Sequence, residues 1–207
     1  MRILFMLISV AVIFTFCRKK ELKFTINGVV SDATFTVTSP GVKVKLFVTP
    51  LGESEDLVGT TTTGSDGVFE FVIDRERIEK VRLTYDKVNY FEEELIIYFS
   101  NLEVNEDNDA SQSLTAKSWV RFQMFNQSPA SASDEFKLFK YRGKEDCAEC
   151  CPIGNSYYYG AVDTAVICPN GANSYTSYYY WVTNTQIYGQ DSVFTTPFDT
   201  VTVNFVY

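Results

Sequence analysis

A turn running straight into an alternating strand, Ser65-Asp66-Gly67-Val68-Phe69-Glu70-Phe71, constrains this chain more than any other stretch. An Asp side chain can bond back to nearby backbone and Gly accepts a positive φ, so Asp66-Gly67 reads as a tight reversal. Beyond it Phe69, Phe71 and Ile73 alternate with Glu70 and Val72, the period of a strand with one buried face. Before it, Gly59-Thr60-Thr61-Thr62-Thr63 is β-branched and strand-prone. The two runs and their turn predict a hairpin at the centre of a small β-domain.

Composition narrows the chemistry. The 207 residues suffice for one or two domains, and 45% apolar content can fill ordinary cores. Thirteen Tyr and 17 Phe favour strands over helices. A formal net charge of −8 disfavours a nucleic-acid partner. The chain has no His, which excludes a Ser-His-Asp triad, a Cys-His pair and any His-containing zinc site. No cofactor or metal is expected, and chemistry based on carboxylates, Tyr or thiols is what remains open.

Residues 22–100 read as one β-sandwich. Leu22, Phe24 and Ile26 alternate with Lys23, Thr25 and Asn27. Ser39-Pro40-Gly41 is a turn, and Val42, Val44, Leu46 and Val48 then alternate with Lys43, Lys45 and Phe47 in the cleanest amphipathic strand of the region. Val81, Leu83 and Tyr85 form a further strand, and Tyr90 to Phe99 closes the sheet pair. About seven short strands with turns between them argue a sandwich. Residues 101–113 are polar and acidic and read as a linker. Asn105, Asp107 and Asp109 alternate as calcium-loop ligands do, but Ala110 and Thr115 stand where that loop needs Gly and Glu, so a solvated hinge is the better reading.

Residues 114–207 read as a second, Tyr-rich sandwich. Val120, Phe122 and Met124 face inward, with Trp119 on the other face. Alternation breaks between Leu138 and Phe139, as at a bulge. Pro169-Asn170-Gly171 is turn-forming, and Val201, Val203, Phe205 and Tyr207 mark a firm last strand. Tyr157-Tyr158-Tyr159 and Tyr178-Tyr179-Tyr180-Trp181 place rings on both faces of their strands. One face can fill a core. The other, if exposed, would be an aromatic surface for sugar rings, peptides or a partner protein.

Two resemblances add an address and a family. Met1-Arg2 precedes an apolar run from Ile3 to Phe16, followed by Cys17 and Arg18-Lys19-Lys20. The run suits the core of a signal peptide, and a Cys at its end resembles a bacterial lipoprotein signal. That resemblance implies a signal peptide over residues 1–16, a lipidated (palmitate-bearing) Cys17 and a tether over residues 17–21. It also implies the membrane as partner through the lipid, and a cell-envelope address at the outer membrane. Gly28-Val29-Val30-Ser31-Asp32, Gly41-Val42-Lys43-Val44-Lys45-Leu46 and Thr63-Gly64-Ser65-Asp66-Gly67-Val68-Phe69-Glu70-Phe71 resemble the carboxypeptidase regulatory-like, transthyretin-like domain of exported Bacteroidota proteins. In that family the module is a non-catalytic accessory, so Asp66 and Gly67 carry over as turn residues.

With Cys17 taken by lipid, four cysteines remain: Cys147, Cys150, Cys151 and Cys168. An even number in an exported chain suggests two disulfides. Bridging the adjacent Cys150 and Cys151 would strain the backbone. Cys147 therefore pairs with Cys150 or Cys151, and Cys168 with the other; Cys147 with Cys168 ranks last.

The expected fold is thus all-β, two consecutive β-sandwich domains after a lipoprotein-type signal peptide. The expected function is that of a non-enzymatic envelope lipoprotein with a structural or protein-interaction role. One alternative is a glycan-binding lipoprotein of a polysaccharide-uptake system. Another is an enzyme built on carboxylates or the Cys147-x-x-Cys150 thiols.

Overall fold

Period-2 patterning builds both halves of the molecule. The structure, a computed structural model, describes residues 22–129 and 131–207. The first half holds β1 (Lys23–Asp32), β2 (Val37–Thr38), β3 (Lys43–Pro50), β4 (Asp56–Thr62), β5 (Val68–Asp74), β6 (Ile78–Asp86), β7 (Glu93–Tyr98), β8 (Asp107–Asp109) and β9 (Gln112–Leu114). One sheet centres on β1, which pairs antiparallel with β2 and β5 and parallel with β8 and β9. The other has the order β4-β3-β6-β7, all antiparallel. Phe24, Ile26, Val30 and Phe69 from the first sheet pack against Val44, Leu46, Val81, Leu83 and Tyr85 from the second, all buried.

The expected hairpin at Asp66-Gly67 does not form. β4 pairs with β3, whereas β5 pairs with β1, so the turn carries the chain from one sheet to the other. The turn chemistry itself is as read: Val68 donates its N–H to the Asp66 carboxylate (3.1 Å) and Gly67 has φ 79°. Turn residues report that the chain reverses. They do not report which strand supplies the next row of hydrogen bonds.

The expected acidic linker over 101–113 is likewise corrected. Its residues supply β8 and most of β9, and Leu102 and Ala110 sit in the first core. Asn108 points inward from β8. It accepts the Glu103 N–H (2.7 Å) and donates to the carbonyls of Thr25 (2.9 Å) and Glu103 (3.0 Å). A single buried Asn that satisfies this backbone replaces the apolar alternation by which strands are recognised.

The second half holds β10 (Lys117–Phe125), β11 (Glu135–Arg142), β12 (Gly154–Tyr159), β13 (Asp163–Gly171), β14 (Ser174–Val182), β15 (Tyr188–Thr195) and β16 (Thr200–Val206). One sheet runs β13-β10-β16, with β16 parallel to β10; the other runs β12-β11-β14-β15, all antiparallel. Val120, Phe122, Met124 and Phe205 from the first face Phe136, Leu138, Tyr178 and Val182 from the second. Phe205 touches the rings of Phe122, Phe136, Tyr178 and Tyr180.

Two local readings change here. Alternation does not break at Leu138–Phe139: Phe136, Leu138 and Lys140 all point inward, and the register shift falls between Lys140 and Arg142. Lys140 is buried, its ammonium donating to the Cys151 and Lys144 carbonyls, and burial lowers its pKa. A polar residue in the inward row hid the period. Pro169-Asn170-Gly171, expected as a turn, ends β13. Asn170 is buried and donates to the hydroxyls of Ser174 (2.9 Å) and Thr195 (3.2 Å), so side chains from β14 and β15 hold it extended.

The two sandwiches abut. Tyr90 and Ala116 form an isolated bridge, Lys117 donates its N–H to the Asn89 carbonyl (2.8 Å), and the Phe198 ring lies against Phe35 and Tyr90. The protein is therefore all-β, built of two β-sandwich units.

Candidate functional site: the outer aromatic face of the second sandwich

Strand alternation sorts the seven aromatic residues singled out in the sequence. Tyr178 is buried, and Tyr158 and Tyr180 pack on the second core. Tyr157, Tyr159, Tyr179 and Trp181 fall on the opposite face. Register then joins the two runs through β11, which lies between them. Tyr157 pairs with Lys137, Lys137 with Trp181, and Trp181 with Tyr188, a row across all four strands. The next row on that face is Asn155, Phe139, Tyr179 and Gln190.

The rings of this face are held by one another. Tyr179 lies 4.8 Å from Tyr141 and 6.2 Å from Phe139, with interplanar angles of 36° and 21°. Gln190 donates to the Tyr141 hydroxyl at 3.0 Å. The Lys137 ammonium sits 5.4 Å from both the Tyr157 and Trp181 rings and pairs with Glu135 at 2.9 Å. That bond raises the Lys137 pKa and lowers that of Glu135. Phe139, Tyr179, Trp181, Tyr188 and Gln190 line an open depression of about 620 Å³. Tyr188 is 74% exposed, so the other described residues do not seal the face.

Lys137, Phe139, Tyr141, Tyr188 and Gln190 are the members that sequence reading missed. Phe139 was hidden by the apparent break beside Leu138. Tyr188 belongs to a strand that starts three residues before the expected Asp191.

The cysteines form Cys147–Cys150 and Cys151–Cys168 bridges. The second ties the loop between β11 and β12 to buried Cys168 on β13. With all four sulfurs oxidised, no free thiol is left in this loop. Among the described residues no group of three or more His, Cys, Asp or Glu could hold a metal ion. Asn105, Asp107 and Asp109 do not converge: Asn105 turns with φ 59° and Asp109 caps Ser111, accepting from its N–H and hydroxyl.

No family model matches the chain, and no curated protein matches it. Solved structures to which it is similar include the Bacillus anthracis TIE protein (13% identity, TM-score 0.39, covering 89% of this chain and 33% of that one). Others are a streptococcal ancillary pilin (12%, 0.33, 89% and 62%) and GBS52, the minor pilin of the Gram-positive pathogen Streptococcus agalactiae (12%, 0.37, 88% and 94%). The chain spans about a third of TIE and less than two thirds of the ancillary pilin. At these scores the likenesses carry no residue role across.

The expected family is corrected by these findings. The carboxypeptidase regulatory-like family does not match, and the similar structures are not transthyretin-like domains of Bacteroidota lipoproteins. The lipid on Cys17, the membrane partner and the outer-membrane address, expected from the signal resemblance, are corrected as well: the similar structures named above are the TIE protein and pilins of Gram-positive bacteria, not outer-membrane lipoproteins. Cys17, the signal peptide expected over 1–16 and the tether expected over 17–21 all lie outside the described residues.

Proposed function

We propose that this protein is an exported recognition protein without catalytic activity. Its second sandwich presents the Tyr157–Lys137–Trp181–Tyr188 face to a ligand, and its first sandwich, with a boundary at Ala116, supports it. One observation carries the reading: a face of rings lies in register on a four-stranded sheet and stays open to solvent. Soluble domains seldom leave such a surface uncovered without a binding role. Export is supported by the two disulfides, which persist in oxidising compartments.

The test uses beads coated with the full chain on an array of purified polysaccharides and extracellular proteins. Beads should be retained by a subset of spots, and the Tyr179→Ser/Trp181→Ser variant should lose that retention while keeping its near-ultraviolet circular dichroism. Equal retention of the folded double variant overturns the reading.

A further inference from the structure

We infer that the ligand of the aromatic face is an uncharged glycan chain laid across strands β12, β11, β14 and β15. The inference rests on the recognition reading above and adds the ligand's chemical class. A pyranose ring has an apolar face of C–H bonds and an equatorial rim of hydroxyls. It needs flat rings to stack on and polar groups at their edges.

The face offers both. Phe139, Tyr141 and Tyr179 stack on one another with ring planes within 21–36°, a rigid aromatic block beside the open row. The neighbouring row adds Tyr157, Trp181 and Tyr188. Across four strands that row spans about 14 Å, room for a chain of sugars rather than one. Hydrogen-bonding groups border the rings: the amides of Asn155 and Gln190, the phenols of Tyr157, Tyr179 and Tyr188, and the Trp181 indole N–H.

Charge selects among glycans. The only cation in the two rows is Lys137, and Glu135 neutralises it at 2.9 Å. The whole chain carries −8. A polyanion would find no net positive field here, so the match is to a neutral chain.

The full chain is titrated by calorimetry with cellohexaose, xylohexaose, mannohexaose and maltohexaose, and with polygalacturonate as the charged comparison. At least one neutral hexasaccharide should bind. Trp181→Ala and the more exposed Tyr188→Ala should each weaken it by about tenfold, the loss of one stacked ring. Ile167→Ser, an exposed change on the other sheet, should leave it unaltered. No binding by any neutral chain, binding by polygalacturonate alone, or equal affinity in folded Tyr188→Ala overturns the inference. If the coated beads are retained only by protein spots and the double variant releases them, recognition stands and the glycan assignment falls. If the double variant is retained equally, both fall.

Discussion

The Tyr85 hydroxyl, buried at the centre of the first sandwich, donates to the Ala110 carbonyl at 2.6 Å. Tyr85 lies on β6 in one sheet, and Ala110 follows β8 in the other. The bond therefore crosses the core and fastens the late parallel strands onto it. Tyr85→Phe keeps the ring but leaves that buried carbonyl without its partner, and should cost about 1–3 kcal/mol. Tyr85→Ala adds a cavity and should cost about 3–5 kcal/mol. Urea unfolding of the full chain, followed by tyrosine and tryptophan fluorescence, would check both. A Tyr85→Phe variant as stable as the parent would mean that the crossing bond adds nothing.

Alkali should unfold the protein. Burial is the first cause of the raised pKa of Tyr85, Tyr90 and Tyr178, with Tyr178 pushed up to about 12 from 10.0; Tyr90 also donates to Asp32 at 2.5 Å. Above pH 10 the unfolded chain therefore releases protons that the folded one keeps. Stability is full below about pH 10 and is lost as pH rises toward the folded values. Lys140 acts in the opposite sense, because burial lowers its pKa and loss of its proton favours the fold as pH rises. The several tyrosines should outweigh this one amine. Denaturant midpoints measured from pH 8 to about pH 11 should fall, and Tyr178→Phe should flatten the fall. A midpoint independent of pH would contradict the assignment.

Gly67 should be intolerant of substitution. Its φ is +79°, and a Cβ there would lie 2.6 Å from the Val30 carbonyl oxygen. Gly41 has a similar φ of +74° but open space around the same atom. Gly41→Ala should cost about 1 kcal/mol, the left-handed backbone alone, and Gly67→Ala clearly more. Comparing the two melting temperatures isolates the clash. Equal shifts would show that β1 yields to the added methyl.

The two bridges should differ in worth. Cys151–Cys168 closes a sequence separation of 17, Cys147–Cys150 one of 3. Cys151→Ser/Cys168→Ser should cost about 2–4 kcal/mol, and Cys147→Ser/Cys150→Ser less, because the larger loop gives the unfolded chain more freedom to lose. Thermal unfolding of each pair variant would rank them. The reverse order would point to native packing, not loop closure, as the dominant effect.

Period-2 patterning determined the fold class by itself. The inward sets Val42-Val44-Leu46-Val48 and Val120-Phe122-Met124 are legible because a strand with one wet face must alternate. The Asp66-Gly67 reversal was equally legible, since its chemistry is local. Only the tertiary structure decided what those strands pair with. The partner of β5 is β1 and not β4, and the segment over 107–114 becomes two parallel strands, because hydrogen-bond partners are chosen by contacts distant in sequence. Lys140 and Asn108 sit in inward rows as polar residues, each satisfied in part by a carbonyl from another strand or loop, that of Cys151 for Lys140 and that of Thr25 for Asn108. The aromatic face follows the same division. The Tyr and Trp runs announce rings on both faces of a strand, but register across β11 selects which rings meet and which face stays open.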